Sequence, residues 1–436
     1  MNQPDRRRFL KAATAAAAFS PVARSASDRV NLAVIGLGGR SRDHLSIYSG
    51  LPDCRVAAVC DVDQAAQERA VALVEKQTGV KPKVYDDMRR VFDDPSIDAV
   101  SIVTPNHWHA LATIWACQAG KDVYVEKPCS HNIFEGRQMV AAARKYKRIV
   151  QVGQQSRTIQ HKQRAMKLLD DGVIGKVYLA KGLCYKRRKS IGRQPDGPVP
   201  PGVNWDLFLG PAPMRPFNPN RFKYNWHWFW DTGNGDIGNQ GVHEMDIARW
   251  GLGKDREMPR TVYSSGGKFV YDDDQETPNT QLATFDYGDV QLVFEVRGLL
   301  TNADAPLTMR GGHTIGNLFY GSDGVLAIDL QGFQVYRGED HQKVMDEKFT
   351  EPRAWDTEPH MRNFLAAVKS RRVEDLTCDI EIGSGAAALC HLANISFRLG
   401  RKLTYDAASG QFSGDAEANR MLSRDYRAPY VVPERV

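Results

Sequence analysis

Glu126-Lys127-Pro128 closes the short apolar run Asp122-Val123-Tyr124-Val125. The run reads as a buried strand, so the tripeptide falls where a parallel strand ends and a loop begins. In open α/β sheets that edge is where ligands bind. A lysine there, beside a proline that stiffens the turn, is placed to meet a substrate rather than bulk water. A second group of chemistry-bearing residues lies far upstream. Val30 to Ile35 is a short apolar strand, and Gly36-Leu37-Gly38-Gly39-Arg40-Ser41 follows at once. The glycines allow a tight turn and a close backbone approach, and Ser41 is a small residue where a third glycine is usual. Asp61 ends the next strand, Val56 to Cys60, 25 residues beyond Gly36. This is a dinucleotide-binding βαβ pattern, with the pyrophosphate held by the turn and the helix N-terminus. A carboxylate at position 61 would accept hydrogen bonds from the adenosine ribose and repel a 2′-phosphate, which points to NAD rather than NADP.

The elements that must position these residues alternate along the first third of the chain. Helices are expected at Ala65 to Gln77, Met88 to Phe92, Ala110 to Ala119 and Ile133 to Lys145. Strands are expected at Val84 to Tyr85, Ala99 to Val103 and Ile149 to Val152, with Thr104-Pro105-Asn106-His107-Trp108-His109 as a loop. Such alternation means a doubly wound parallel sheet. After Gly153 the strands crowd together, and Asp286-Tyr287-Gly288-Asp289 joins two of them as a hairpin. The expected fold is therefore α/β, an N-terminal Rossmann domain over residues 29–153 followed by an α+β domain over 154–405 with a large, mostly antiparallel sheet. Residues 406–436 read as an irregular C-terminal arm.

A chain of 436 residues exceeds one ordinary core. Its 42% apolar and 25% charged content is that of a globular protein. Most of the formal net charge of +6 sits in residues 1–25, so the rest gives no reason to invoke nucleic acid or an anionic membrane. No apolar stretch is long enough for stable membrane insertion. The seven cysteines are scattered, without a Cys-x-x-Cys pair, and form neither a disulfide framework nor a metal site. Asp5-Arg6-Arg7-Arg8-Phe9-Leu10-Lys11, the alanine-rich stretch after it and Ala23-Arg24-Ser25 resemble a twin-arginine signal peptide over residues 1–25. That reading makes the export machinery a partner and the location periplasmic or otherwise exported. A basic amphipathic helix is the alternative.

Four features stand in order: the glycine turn, Thr104 to His109, Glu126-Lys127-Pro128, and Gly235-Asp236-Ile237-Gly238-Asn239-Gln240-Gly241-Val242-His243-Glu244-Met245-Asp246. Together they resemble the glucose–fructose oxidoreductase / inositol dehydrogenase (Gfo/Idh/MocA) family from about residue 29 to about residue 400. The resemblance implies that Gly36, Gly38, Gly39 and Ser41 hold the pyrophosphate and Asp61 the ribose. It places Thr104, Pro105, Asn106, His109, Glu126 and Lys127 around the nicotinamide half. It casts Lys127 as the cation that polarises the substrate oxygen and His243 as the general base. Many relatives carry aspartate four residues before the histidine, where this chain has Asn239. An amide can hold a hydroxyl but cannot take its proton. Asp236 or Asp246 could compensate, or Asp246 could brace its helix.

Among further substrate contacts, Trp228 stands out in the aromatic stretch Tyr224 to Trp230, which reads either as a sugar-stacking surface or as a core cluster. Gln155 and Arg157 follow the last Rossmann strand, where relatives place substrate-side polar residues. Lys186 to Lys189 is either solvated surface or a cleft-facing site for an acidic group such as a uronate or phosphate. The resulting expectation is an NAD-dependent oxidoreductase, homo-oligomeric, with tightly held NAD and no metal, acting on a ring carbinol of a carbohydrate or cyclic polyol. One alternative is an NAD-retaining glycosidase working by transient oxidation, elimination and addition. The other is a non-catalytic, nucleotide-bound binding protein.

Overall fold

The computed structural model describes residues 29–301, 307, 313–349 and 357–436. The leader reading for residues 1–25 lies outside them. The first sheet is built from β1 (Val30–Ile35), β2 (Cys54–Cys60), β3 (Lys83–Tyr85), β4 (Ala99–Ile102), β5 (Asp122–Val125) and β6 (Val150–Val152). The strands are parallel in the order β3-β2-β1-β4-β5-β6. Helices α1 (Ser41–Gly50), α2 (Gln64–Thr78), α3 (Met88–Asp93), α4 (Asn106–Gln118) and α5 (Ile133–Lys145) link them. β4 and β5 are buried at every position because helices cover both faces of the sheet. Asp63 and Asn132 cap α2 and α5 through their side chains. The stretch Thr104 to His109 differs from the loop expected. Pro105 stands at the N-cap and α4 starts at Asn106, so His107, Trp108 and His109 occupy its first turn. Proline tolerates that place because the first helical N–H groups have no intrahelical partner.

The second unit comprises α6 (Gln160–Asp170), β7 (Val177–Lys186), α7 (Trp205–Leu209), α8 (Gly235–Asn239), α9 (Gly241–Gly251), β8 (Thr261–Gly267), β9 (Thr280–Asp286), β10 (Gln291–Arg297), β11 (His313–Gly321), β12 (Gly324–Asp329), β13 (Gly332–Arg337) and β14 (Gln342–Lys348). After these come α10 (Thr357–Ser370), α11 (Ile380–Leu399), β15 (Leu403–Asp406), β16 (Gln411–Phe412) and α12 (Ala416–Arg420). Ten strands form one open sheet in the order β14-β13-β12-β11-β7-β10-β9-β8-β15-β16. Its described pairs are antiparallel except β7 with β10. α9 lies across β7, β10 and β11, and α11 packs on β8, α9 and α5. The opposite face leaves Tyr263 and Leu282 exposed.

The chain does not leave the first unit behind. Met361, Phe364 and Leu365 of α10 share one apolar cluster with Leu32, Val34 and Tyr48, so the helix after the second sheet covers part of the first. The C-terminal stretch, expected to be irregular, carries β16 and α12 and then crosses back to the first unit. There Tyr430 meets Trp108 edge-on, while Arg427 donates to the Asp206 carboxylate of α7 at 2.6 Å.

Two residues expected to contact substrate are instead part of this scaffold. Arg157 Nε and Nη2 donate to the two carboxylate oxygens of Asp246, each at 2.8 Å, and Nη1 and Nη2 donate to Asp255 at 3.0 and 2.7 Å. Arg157 is 4% exposed and Asp246 0%. Burial pushes the Asp246 carboxyl up and the guanidinium opposes the shift. Asp246 is therefore committed to Arg157, outside the cleft, and does not compensate for Asn239. Breaking a buried pair from one side leaves an uncompensated charge. Arg157→Met should destabilise the fold by about 3–5 kcal/mol, read as a lowered urea midpoint, with NAD affinity of the folded protein unchanged. Weakened NAD binding at unchanged stability would contradict the bracing role.

Candidate functional site

A cleft of about 1530 Å³ opens where the C-terminal ends of the parallel strands face α9 and the second sheet. At its first end, Gly36 has φ +87°, and a Cβ there would stand 2.6 Å from the Thr104 backbone nitrogen. Only glycine fits this crossing of β1 and β4. Gly38 and Gly39 are different, because a Cβ added to either would meet nothing within 4 Å. Both line the cleft, and the open space in front of their backbone is where a pyrophosphate can approach. Ser41 Oγ donates to Gly38 O at 2.7 Å and secures the turn at the start of α1. Asp61 Oδ2 accepts from Leu37 N at 2.5 Å and Oδ1 from Asp63 N at 2.9 Å. The carboxylate thus sits on the turn, keeping lone pairs for ribose hydroxyls. Burial pushes its carboxyl up while the two N–H donors hold it down.

The turn is fastened to the strand end by Glu126, whose side chain is 6% exposed. Its Oε1 accepts from Arg40 Nε at 2.8 Å and lies 2.9 Å from His44 Nε2. Its Oε2 accepts from the Lys127 backbone N–H at 3.2 Å. Despite burial, Arg40 and His44 hold this carboxyl well below the usual range. Glu126 therefore orients its neighbours from within the wall. Thr104, Pro105, Asn106 and His109 line the cleft beside it. The His109 ring bridges two carbonyls, with Nε2 2.7 Å from Thr104 O and Nδ1 2.7 Å from Pro128 O. Asn106 Nδ2 donates to Asn234 Oδ1 at 3.0 Å and ties the two units together. Thr104 Oγ1 is buried with no hydrogen-bond partner among the described residues. These features fit a bound dinucleotide.

Lys127 crosses the cleft. Its Nζ donates to the backbone carbonyl of Asn239 at 2.5 Å. That carbonyl is free because the helix breaks: α8 ends at Asn239, α9 starts at Gly241, and His243 N bonds to Gln240 O. Asn239 and His243 thus belong to two short helices rather than one face of a single helix. Gly241 is required at the break, since a Cβ would stand 2.4 Å from the Phe294 ring. Asn239 Nδ2 donates to Tyr224 Oη at 3.1 Å. Burial pulls the Lys127 ammonium down to about 8. His243 lines the same space, with Nδ1 buried and without a partner among the described residues. Burial, aided by the Lys127 charge, holds its ring well below the ordinary histidine value, so it is a neutral base.

Glu244 was not singled out by the sequence reading. It lines the cleft, 3% exposed, and accepts from Gln240 Nε2 at 3.3 Å through Oε1. Its Oε2 has no hydrogen-bond partner among the described residues. Burial pushes its carboxyl up to about 7, against the pull of Lys162. The only available signal was a carboxylate next to the assigned histidine, and adjacent helix residues ordinarily point apart. The short α9 start brings both to the cleft.

In the aromatic stretch, Tyr224, Trp226 and His227 face the cleft, whereas Trp228 is a correction. It is 3% exposed and lies beneath the Arg188 guanidinium, 5.3 Å from ring centroid to Cζ. The basic run divides by strand alternation, with Lys186 and Arg188 lining the cleft and Arg187 and Lys189 exposed. A strap passes beside Asp61, where Gln64 N donates to Gly202 O and Asn204 N to Val62 O, each at 2.9 Å. No cluster of metal-ligand residues occurs among the described residues, and no described helix is long and apolar enough to cross a membrane. All seven cysteines are buried and unpaired.

Residues 30–154 match a family described as an oxidoreductase family with an NAD-binding Rossmann fold. Residues 139–295 and 331–432 match the C-terminal alpha/beta domain of the same oxidoreductase family. A glycosyl hydrolase family 109 protein of a Shewanella species is 37% identical over 120 residues, 27% of this chain and 26% of that protein. An alpha-N-acetylgalactosaminidase of Shewanella oneidensis is 35% identical over 118 residues, 26% of each. The chain thus spans about a quarter of the length of these two relatives. The WlbA dehydrogenase of Bordetella pertussis, solved with NADH and UDP-GlcNAcA, shares the fold at 18% identity. Its TM-score is 0.62, over 87% of this chain and 99% of that one.

The titrating groups set a pH profile. A base must be unprotonated and Lys127 must stay charged, so kcat/KM of the NAD-loaded protein should be bell-shaped. The basic limb falls near 8 as Lys127 loses its proton. If Glu244 takes the proton, the acidic limb lies near 7, and Glu244→Gln removes it. An acidic limb well below 6.5 that survives Glu244→Gln assigns the base to His243 alone.

Proposed function

The chain belongs to the Gfo/Idh/MocA oxidoreductase family and is an NAD-dependent enzyme, and from that membership we propose that it acts on a carbohydrate or cyclic polyol at a ring carbinol. The observation that carries this reading is the convergence of Lys127, His243 and Glu244 at one end of a cleft whose other end is the glycine turn. Gly36, Gly38, Gly39 and Asp61 would hold NAD, which when bound accepts or returns the hydride of the carbinol carbon. A carbinol loses hydride readily only as its oxygen loses a proton. The Lys127 ammonium steadies the oxygen as negative charge grows on it. His243 or Glu244 receives the hydroxyl proton. Asn239, fixed by Tyr224, can orient a second hydroxyl through its amide oxygen. The aromatic faces of Tyr224, Trp226 and His227 suit the C–H face of a sugar ring.

A specific observation favours a second reading, net glycoside hydrolysis with NAD retained. Elimination and readdition need two proton-transfer groups, one for the hydroxyl and one for the neighbouring C–H. His243 and Glu244 supply two at adjacent positions. The names of the two Shewanella relatives point the same way. The strap at Gly202 to Asn204 and the Tyr430 cover favour a cofactor that stays bound. The twin-arginine-like leader supports an exported, periplasmic location, where retained NAD would be an advantage. The exposed Tyr263 and Leu282 on the open sheet support a homo-oligomer.

The test supplies the NAD-loaded protein with free sugars, cyclitols and aryl glycosides, including the α-N-acetylgalactosaminide, and follows NADH and aglycone together. Net oxidation gives NADH in step with ketone. Net hydrolysis gives aglycone without NADH and, in D₂O, deuterium at the carbon beside the oxidised one. Lys127→Ala should lower kcat by about 10²–10³ with NAD still bound. Full activity in that variant would remove Lys127 from the chemistry.

A further inference from the structure

Lys186 is a cation of the cleft that the chemistry above leaves unused. β7 carries Gly182, Cys184 and Lys186 on the face toward α9, and the alternation continues to Arg188 just beyond its end. Gly182 lets α9 pack close, because a Cβ there would stand 3.1 Å from the Glu244 Cβ. β11 runs alongside, pairing Asn317 with Gly182 and Ile315 with Cys184, so these side chains share that face. Lys186, Arg188, Ile315 and Asn317 all line the cleft beside Glu244.

The two basic residues at this corner differ in one respect. Arg188 is fully engaged, since Nε and Nη2 donate to Asp236 at 3.0 and 2.6 Å and Nη1 donates to Tyr224 Oη at 3.0 Å. The Lys186 ammonium has neither a hydrogen bond nor an ion pair with any described residue, although the residue is partly buried and faces the same space. The carboxylates whose charge reaches it are Asp236 and Glu244, and neither makes an ion pair with it. Asp236 is bound in both oxygens by Arg188, and Glu126 is committed to Arg40 and His44. Burial and the Arg188 charge pull the Lys186 ammonium down, and the charges of Asp236 and Glu244 only partly oppose them. A partly desolvated charge without a partner is unfavourable in the free protein and is relieved by an anion.

We propose that Lys186 forms a carboxylate subsite, so that the sugar taken by this cleft bears a single acidic group of the uronate kind. One free ammonium beside a spent guanidinium matches a monoanion better than a phosphate, which draws on several donors at once. Asn317 Oδ1 is buried without a partner among the described residues and offers an acceptor for a hydroxyl of the same sugar, while its Nδ2 donates to Glu244 O at 2.7 Å. An anion at Lys186 would also offset the positive field of Lys127, Lys162 and Lys186 and ease protonation of His243 and Glu244 during turnover. This inference rests on the carbohydrate reading of the cleft but is tested by binding, apart from turnover.

Calorimetric titration of the full-length, NAD-loaded protein should compare glucuronate with glucose and galacturonate with galactose. The acid of at least one pair should bind about tenfold or more tighter than its neutral partner, with the preference shrinking as salt rises. Lys186→Gln should abolish that preference while leaving neutral-sugar affinity unchanged, and Lys186→Arg should keep part of it. Arg187→Gln, on the exposed side of the strand, should leave it intact. Equal or better binding of the neutral sugars overturns the subsite, as does no binding of either uronate at millimolar concentration. A preference that survives Lys186→Gln overturns it too. NAD-dependent turnover of neutral sugars with no uronate binding would leave the carbohydrate reading standing and remove only the acidic subsite.

Discussion

One buried carboxylate sets the geometry of the cleft. Glu126 accepts from Arg40 on the glycine turn, neighbours His44 on α1 and accepts from the backbone of Lys127. It stands at the end of β5 with Gly153 behind it, where a Cβ would press to 3.2 Å of its carboxylate. Removing a carboxylate from water is costly, and here charge-assisted hydrogen bonds from two elements offset that cost. The cofactor turn and the lysine thereby share one anchor. A change at Glu126 would be felt at both ends of the cleft.

From that anchor Lys127 reaches across to the second unit. Its acceptor exists only because the helix around residue 240 is broken, which leaves the Asn239 carbonyl without an intrahelical donor. The same break sets His243 and Glu244 into the cleft and gives Asn239 its bond to Tyr224. The loss of the usual aspartate at 239 is therefore met by an arrangement in which the backbone carbonyl serves Lys127. The neighbouring Glu244 brings a second carboxyl to the same end of the cleft. The Asp246 carboxylate, three residues beyond the histidine, is fully occupied in holding Arg157.

The Rossmann half was legible because its signals are local. An apolar run, a glycine turn and an acid at the next strand end lie within about thirty residues and obey backbone rules that tolerate little variation. The strand Asp122 to Val125 and the helix Ile133 to Lys145 fall where the sequence pattern placed them. What was not legible depends on pairing across long distances. Nothing in the sequence tells that Arg157 meets Asp246, 89 positions away, or that Trp228 lies under Arg188 while Tyr224 and His227 turn to the cleft. The division of Lys186 to Lys189 needed the end of β7 fixed to the residue, because a shift of one reverses the faces. Glu244 was hidden by the expectation of one regular helix.

The most direct test of this account is a crystal structure of the protein with NAD. The account predicts the pyrophosphate over Gly38 and Gly39, the adenosine ribose hydroxyls on Asp61, and the nicotinamide beside Thr104 to His109, within reach of Lys127. A nicotinamide turned away from Lys127 and His243, or a dinucleotide seated outside the glycine turn, would contradict it.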